Sequence, residues 1–283
     1  PQATRAGKGA TLTHPPLSLS GRPALEVASA TARGAGELVK GRFYTAKEVS
    51  YKENSSLVTD VDLLAERFIR DALAREFPDI SYLGEELGAT GGAGGLRWIV
   101  DPVDGTRNYA ANVPHFAVSI ALADGPEVLL GVTYDPMRDE TFHATKGQGA
   151  FLNGRPVSVS RRASIAQCIV GFDIGSMDAR ALCALKMVQG LWPGMQTVRI
   201  MGSSCLGLAY AAAGRVDIYF HHTLAPWDVA AGLVLVGEAG GQVVDRKSRG
   251  PASLDSTGLV ASSPQLLKEF LRLTKDQEWY MVE

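Results

Sequence analysis

Apolar residues recur at helical spacing across residues 23–40, where Leu25, Val27, Ala28, Ala32, Ala35 and Leu38 form a stripe that predicts a first helix. A second stripe, Val61, Leu64, Ala65, Phe68 and Ala72, predicts another helix ending before Pro78. The period then shortens. Residues 82–84, 97–100, 116–123, 128–134 and 141–144 read as strands, Asn153-Gly154 as a tight hairpin turn, and the run Gly91 to Gly95 as a flexible hairpin tip. From about Ser164 strands and helices alternate, with strands at 169–172, 197–200 and 216–220 and helices at 179–189, 203–213 and 226–238. Residues 23–163 are therefore expected to form an α+β half, helices on a largely antiparallel sheet, and residues 164–283 an α/β half, stacked in layers as a single domain. Residues 1–22, rich in Pro, Ser and Thr and without period, are expected to be a loose arm.

Composition narrows the class. With 46% hydrophobic and 20% charged residues, the 283-residue chain has a globular rather than a disordered or fibrous make-up. Its 28 basic and 30 acidic residues leave a net charge of −2, so nothing draws the whole chain to nucleic acid or to an anionic membrane. An anionic substrate must be held locally. Cys168, Cys183 and Cys205 are odd in number and form no CxxC, which argues against a disulfide framework or a structural zinc site and favours a reducing compartment. The first 20 residues carry no apolar run of the secretory or membrane-anchoring kind, so a cytoplasmic location is expected.

The chemistry concentrates in Trp98-Ile99-Val100-Asp101-Pro102-Val103-Asp104-Gly105-Thr106. A short apolar strand runs into two carboxylates three residues apart, with a proline stiffening the turn between them. Mg²⁺ prefers oxygen ligands and takes few carboxylates, leaving other positions to water and phosphate. Asp101 and Asp104 meet that need, and the N–H groups of Gly105 and Thr106 can face a phosphate. The alternative is an Asx-type turn that caps a helix. Glu85 and Glu86 end an earlier strand, where paired acids are commonly a solvated edge. In Pro226-Trp227-Asp228, the proline suits the first helical position and Asp228 the first turn, where a carboxylate complements the helix dipole. Thr59 and Asp62 have capping-box spacing, and Asp62 is either that cap or a further acid near a metal. Asp173 reads as an ordinary loop acid or as one facing the site.

Taken together, these motifs resemble the inositol monophosphatase family of metal-dependent, lithium-sensitive phosphatases. The resemblance runs over about residues 23–270, on Leu57-Val58-Thr59 with Asp62, Gly84-Glu85-Glu86, WIVDPVDGTRN from Trp98 to Asn108, and PWDVAAG from Pro226 to Gly232. It implies the layered αβαβα sandwich of the fructose-1,6-bisphosphatase-like fold, a homodimer, and a small-molecule phosphomonoester substrate, with inositol monophosphate the first expectation. It also implies two or three Mg²⁺ ions. Glu85, Asp101 and the Val103 carbonyl would hold one, Asp101, Asp104 and Asp228 a second, and Glu85 would help position a third. Gly105 and Thr106 would bind phosphate through their N–H groups, the Thr106 hydroxyl would orient the attacking water, and Asp104, Asp228 and His221 would border the substrate.

Two positions depart from the family pattern. Ser56 stands where an Asp often precedes the Leu-Val-Thr sequence, and His221 stands seven residues before Asp228, where inositol-specific members carry Glu. Histidinol phosphate, fructose 1,6-bisphosphate and 3'-phosphoadenosine nucleotides therefore remain alternative substrates, and a catalytically silent regulatory member is the alternative outside enzymology.

Overall fold

A computed structural model of the chain describes residues 15–45, 47–51, 57–91, 95–175 and 178–282. Helix α1 (Ala24–Gly41) is followed by the strands β1 (Val49–Tyr51) and β2 (Leu57–Thr59), and then by α2 (Asp60–Glu76). Next come β3 (Ser81–Gly84), β4 (Gly88–Thr90), β5 (Leu96–Asp104), the short α3 (Thr106–Ala110), β6 (Ala117–Asp124), β7 (Glu127–Asp135), β8 (Glu140–Thr145), β9 (Ala150–Leu152) and β10 (Arg155–Pro156). The second half holds β11 (Ile169–Phe172), α4 (Ala179–Leu191), β12 (Thr197–Arg199), α5 (Ser204–Ala212), β13 (Ile218–His221), α6 (Pro226–Glu238), β14 (Gln242–Asp245), β15 (Leu259–Ser262) and α7 (Pro264–Leu273).

The strands make an eight-stranded sheet, ordered β10-β9-β8-β7-β6-β5-β3-β4, a five-stranded sheet, ordered β12-β11-β13-β15-β14, and the small pair β1-β2. Helices α1 and α2 cover one face of the large sheet, where Val27, Ala28, Ala32, Ile69 and Leu73 meet Val100, Ile120 and Val132. Helices α5 and α6 fill the space between the sheets, and α4 and α7 cover the outer face of the small one. This is a layered αβαβα sandwich.

The middle layer needs small residues, because a helix pressed from both sides is apolar all round and must come close to its neighbours. A Cβ on Gly131 of β7 would lie 2.6 Å from the Ala231 Cα of α6, and one on Gly232 of α6 would lie 2.3 Å from the Leu208 side chain of α5.

Several expectations are corrected. β3 and β5 run parallel, and β3 pairs antiparallel with β4, so the Gly91 to Gly95 run is not the tip of a hairpin between them. Gly92, Ala93 and Gly94 lie outside the described residues. On α2, Leu64 and Phe68 are 42% and 41% exposed, and the buried stripe is Val61, Asp62, Ala65, Glu66, Ile69 and Leu73. Of residues 1–22, those from Pro15 on are described. Leu17 bridges Pro23, and the Leu19 N–H donates to the Glu76 carbonyl at 2.9 Å. Asn153 and Gly154 both have positive φ, 47° and 76°, as a two-residue hairpin turn of this type requires.

Candidate active site

The pocket forms where β5 ends and where α5 and α6 begin. β5 extends through Asp104 rather than stopping at Val100, and its register against β6 shifts between Asp101 and Asp104. Asp101 faces Ser119 and Asp104 faces Ala117, so three steps along β5 match two along β6. In a regular strand residues three apart point to opposite faces. The extra residue of this bulge turns both carboxylates toward the same side. Pro102 suits the irregularity because it has no N–H to lose from the ladder. The Val103 N–H donates to Asp101 Oδ1 at 3.0 Å and holds that side chain in place.

Asp104 lies against the start of α5. Its Oδ1 accepts from the Ser204 N–H at 3.2 Å and the Ser204 hydroxyl at 2.9 Å, and its Oδ2 accepts from the Cys205 N–H at 2.9 Å and from the Ser203 hydroxyl. A helix N-terminus with unpaired N–H groups favours an anion there. Asp228 does the corresponding work on α6. Its Oδ2 accepts from the Ala225 N–H at 2.6 Å, and its Oδ1 lies 3.5 Å from the same Ser204 hydroxyl that bonds Asp104.

Asp101 and Asp104 are buried and Asp228 is half-buried. Burial pushes Asp101 well above the usual carboxylate range, and the charges of Glu85, Asp104, Asp228 and Asp62 push the same way. Asp228 is raised by burial, Asp104 and Glu85. Burial also raises Asp104, against the opposing effect of its four hydrogen bonds. The structure thus brings Glu85, Asp101, Asp104 and Asp228 together and adds Asp62.

Asp62 serves two purposes. The Thr59 N–H donates to its Oδ2 at 3.0 Å, as does the Thr59 hydroxyl, which completes the cap of α2. Its Oδ1 lies 3.1 Å from the Thr106 hydroxyl, which is also 3.0 Å from the Val103 carbonyl. Burial raises Asp62 to about 6. Gly105 has φ of 92°, and a Cβ there would sit 3.0 Å from the Gly202 carbonyl, so the turn that presents Thr106 requires glycine.

Three contributors, Glu66, Ser203 and Ser204, escaped the sequence reading, and a fourth, Asp173, has a role that reading did not assign. Glu66 on α2 accepts the N–H groups of Glu86 at 2.7 Å and Leu87 at 3.0 Å, and so fixes the turn that carries Glu85. Ser203 and Ser204 hold Asp104, and a Ser-Ser pair before an apolar helix signals only a cap. Asp173 is buried and accepts from the Met201 N–H at 2.8 Å, the Gly202 N–H at 2.6 Å and the Tyr219 hydroxyl at 2.9 Å, fixing the loop before α5. It is an organiser of that loop rather than an ordinary loop acid. His221 is buried at the end of β13, and its Nδ1 accepts the Thr223 N–H at 3.0 Å. Burial pushes it down to about 3, so the ring is neutral and carries its proton on Nε2. Ser56 lies outside the described residues.

The donor set suits a hard dication. Among the described residues no Lys or Arg pairs with Asp101, Asp104 or Asp228, and buried charges need either a partner or a metal. Oxygens of Asp101 and Asp104 lie with the Cys205 sulfur within 4.8 Å of one another.

Comparison with known proteins agrees with this geometry. The model of the inositol monophosphatase family matches residues 21–278. The Nus factor SuhB of Escherichia coli K12 is 39% identical over 260 residues, covering 90% of this chain and 97% of the relative. An inositol monophosphatase from Mesembryanthemum crystallinum is 34% identical over 261 residues, covering 90% and 96%. The crystal structure of the extragenic suppressor protein suhB from Bartonella henselae matches with a TM-score of 0.85 at 32% identity, covering 89% of this chain and 98% of that one. With the match running across both halves and the acidic pocket between them, the chain belongs to the inositol monophosphatase family.

Proposed function

We propose that the chain is a Mg²⁺-dependent phosphomonoesterase acting on a small phosphorylated alcohol, with inositol monophosphate the first candidate. The observation that carries this reading is the crowding of four acids, Glu85 after β3, Asp101 and Asp104 on β5 and Asp228 at the start of α6, with no cationic side chain among the described residues paired to Asp101, Asp104 or Asp228. Glu85, Asp101 and the Val103 carbonyl would hold one ion, and Asp101, Asp104 and Asp228 another, with Glu85 assisting a third. When bound, Mg²⁺ neutralises the phosphate, acidifies a water and favours departure of the alkoxide. The chain's own part is positioning. Thr106 Oγ1, held between Asp62 Oδ1 and the Val103 carbonyl, orients the attacking water. Asp62 is the nearby acid suited to take up its proton, and the Gly105 and Thr106 N–H groups meet the phosphate oxygens. His221, a neutral Nε2–H donor, would contact the alcohol. A donor there in place of an acidic acceptor keeps histidinol phosphate and the bisphosphate and nucleotide esters in contention.

The same reading extends to a homodimeric, cytoplasmic, lithium-sensitive enzyme. No helix among the described residues is long and apolar enough to cross a membrane. The Nus factor name of the Escherichia coli relative favours a second reading, in which the chain has a regulatory role. One assay separates the two. Phosphate release from a panel of phosphomonoesters should require Mg²⁺, stop with EDTA and resume when Mg²⁺ is restored. Turnover indifferent to the chelator, or no turnover on any ester, overturns the hydrolase reading.

A further inference from the structure

Cys205 has no part in the hydrolysis described above, yet its sulfur lies beside the acids at the end of β5. It is buried in the first turn of α5, pinned there by its N–H bond to Asp104 Oδ2 at 2.9 Å. Its sulfur touches the carbonyl oxygens of Asp228 at 3.6 Å and Trp227 at 3.8 Å, long contacts even for sulfur. It also lies within 4.8 Å of a carboxylate oxygen of Asp101 and one of Asp104. The three ligand atoms come from two elements that the hydrogen bonds of Asp104 lock together.

Magnesium gains nothing from a sulfur donor, because it prefers oxygen in near-octahedral geometry. Zinc is borderline-soft and takes thiolate and carboxylate together in tetrahedral sites. Zn–S and Zn–O bonds of the usual length set the sulfur and oxygen about 3.5 Å apart, so small inward rotations from the present separation suffice.

We propose that Cys205, with Asp101 and Asp104, forms an inhibitory site for Zn²⁺ or a softer dication within the magnesium pocket. On binding, the Cys205 S–H bond gives its proton to solvent while the S–Zn bond forms, with no change of oxidation state. Because Asp101 and Asp104 are then committed to zinc, the working ion is displaced. The proposal rests on the metal-dependent reading of the pocket.

The test uses the full chain, freed of metal and titrated with Co²⁺, a coloured stand-in for Zn²⁺. The wild type should develop thiolate-to-cobalt charge-transfer absorption in the near ultraviolet that Zn²⁺ abolishes. Cys205→Ala and Cys205→Ser should lose the band and bind Zn²⁺ at least about 10-fold more weakly. Cys168→Ser and Cys183→Ser, altered in the core around β11 and α4, should keep it. Absence of the band from the wild type, or unchanged Zn²⁺ affinity in both Cys205 variants, overturns the proposal. If the Cys205 variants fail to fold, retention of the band in Cys168→Ser and Cys183→Ser supports the proposal, and its loss from either one overturns it. Turnover with Mg²⁺ but no band sinks the thiol site alone, whereas a band without turnover on any ester sinks the hydrolase reading and supports the site.

Discussion

Asp101 concentrates a conflict that a bound metal would resolve. It is buried among Glu85, Asp104, Asp228 and Asp62, and each of their charges disfavours its own. Asp101→Asn keeps an oxygen for the Val103 N–H while removing one charge from the crowd. Phosphate release should fall more than about 100-fold, beyond what loss of a mere outer partner costs. The melting temperature without Mg²⁺ should rise at the same time, and differential scanning fluorimetry beside the phosphate assay reads both. A variant that keeps a substantial share of turnover rules Asp101 out as a ligand.

Histidine 222 poses the opposite problem. Both its ring nitrogens are buried without a partner among the described residues, and burial pushes its pKa down from 6.5 to about 4. The folded ring stays neutral while the unfolded one takes up a proton below pH 6.5, so stability attached to this residue is lost as pH falls from 6.5 toward 4. His222→Leu should therefore gain about 1 kcal/mol at pH 7 by removing two unsatisfied polar atoms. That advantage should widen by roughly 1–2 kcal/mol at pH 5. Urea unfolding at both pH values checks it, and an advantage that shrinks in acid contradicts the assignment.

At the scale of elements, the fold's tightest constraint is the contact of α6 with β7. Gly131→Ala would put a methyl 2.6 Å from the Ala231 Cα, a backbone atom that cannot turn aside. The helix must lift, at a cost of about 1–3 kcal/mol, and Asp228 in its first turn moves with it, so the denaturation midpoint and the Mg²⁺ affinity should fall together. Gly237→Ala on the same helix meets nothing within 4 Å and should instead stabilise by roughly 0.5–1 kcal/mol. Equal behaviour of the two variants would mean that helix propensity rather than packing governs the layer.

Elements with a clean period were legible: α1, α4, α5, α6 and the long strands appear where their stripes lie. The stripe of α2 was misjudged because its buried face includes Asp62 and Glu66, which a hydrophobicity pattern counts as outward. The bulge at Pro102-Val103 was equally hidden, since it is set by pairing with β6 and not by local composition. The site acids could be found through their motifs. Glu66, Ser203 and Ser204 could not, nor could the role of Asp173, because their work is to accept or donate bonds across 20 to 100 residues of sequence.

For the whole molecule, the pocket joins layers contributed by both halves of the chain, so whatever settles it should settle the entire fold. Asp104 ends a strand of the large sheet and is tied to α5, Asp228 opens α6, and Asp62 opens α2. An ion that binds only when these starts are in register stabilises the folded state by mass action, about 2.7 kcal/mol at a hundredfold excess over its dissociation constant. For a chain of this size that is a rise in melting temperature of roughly 5–10 °C. The rise should appear with Mg²⁺ against EDTA, fail to appear with NaCl of equal ionic strength, and largely vanish in Asp101→Asn. A shift that sodium reproduces would be ordinary screening of surface charge, and one that survives in Asp101→Asn would locate the ion elsewhere. Only a Mg²⁺-specific shift that depends on Asp101 ties the stability of the layers to the acids that face one another between them.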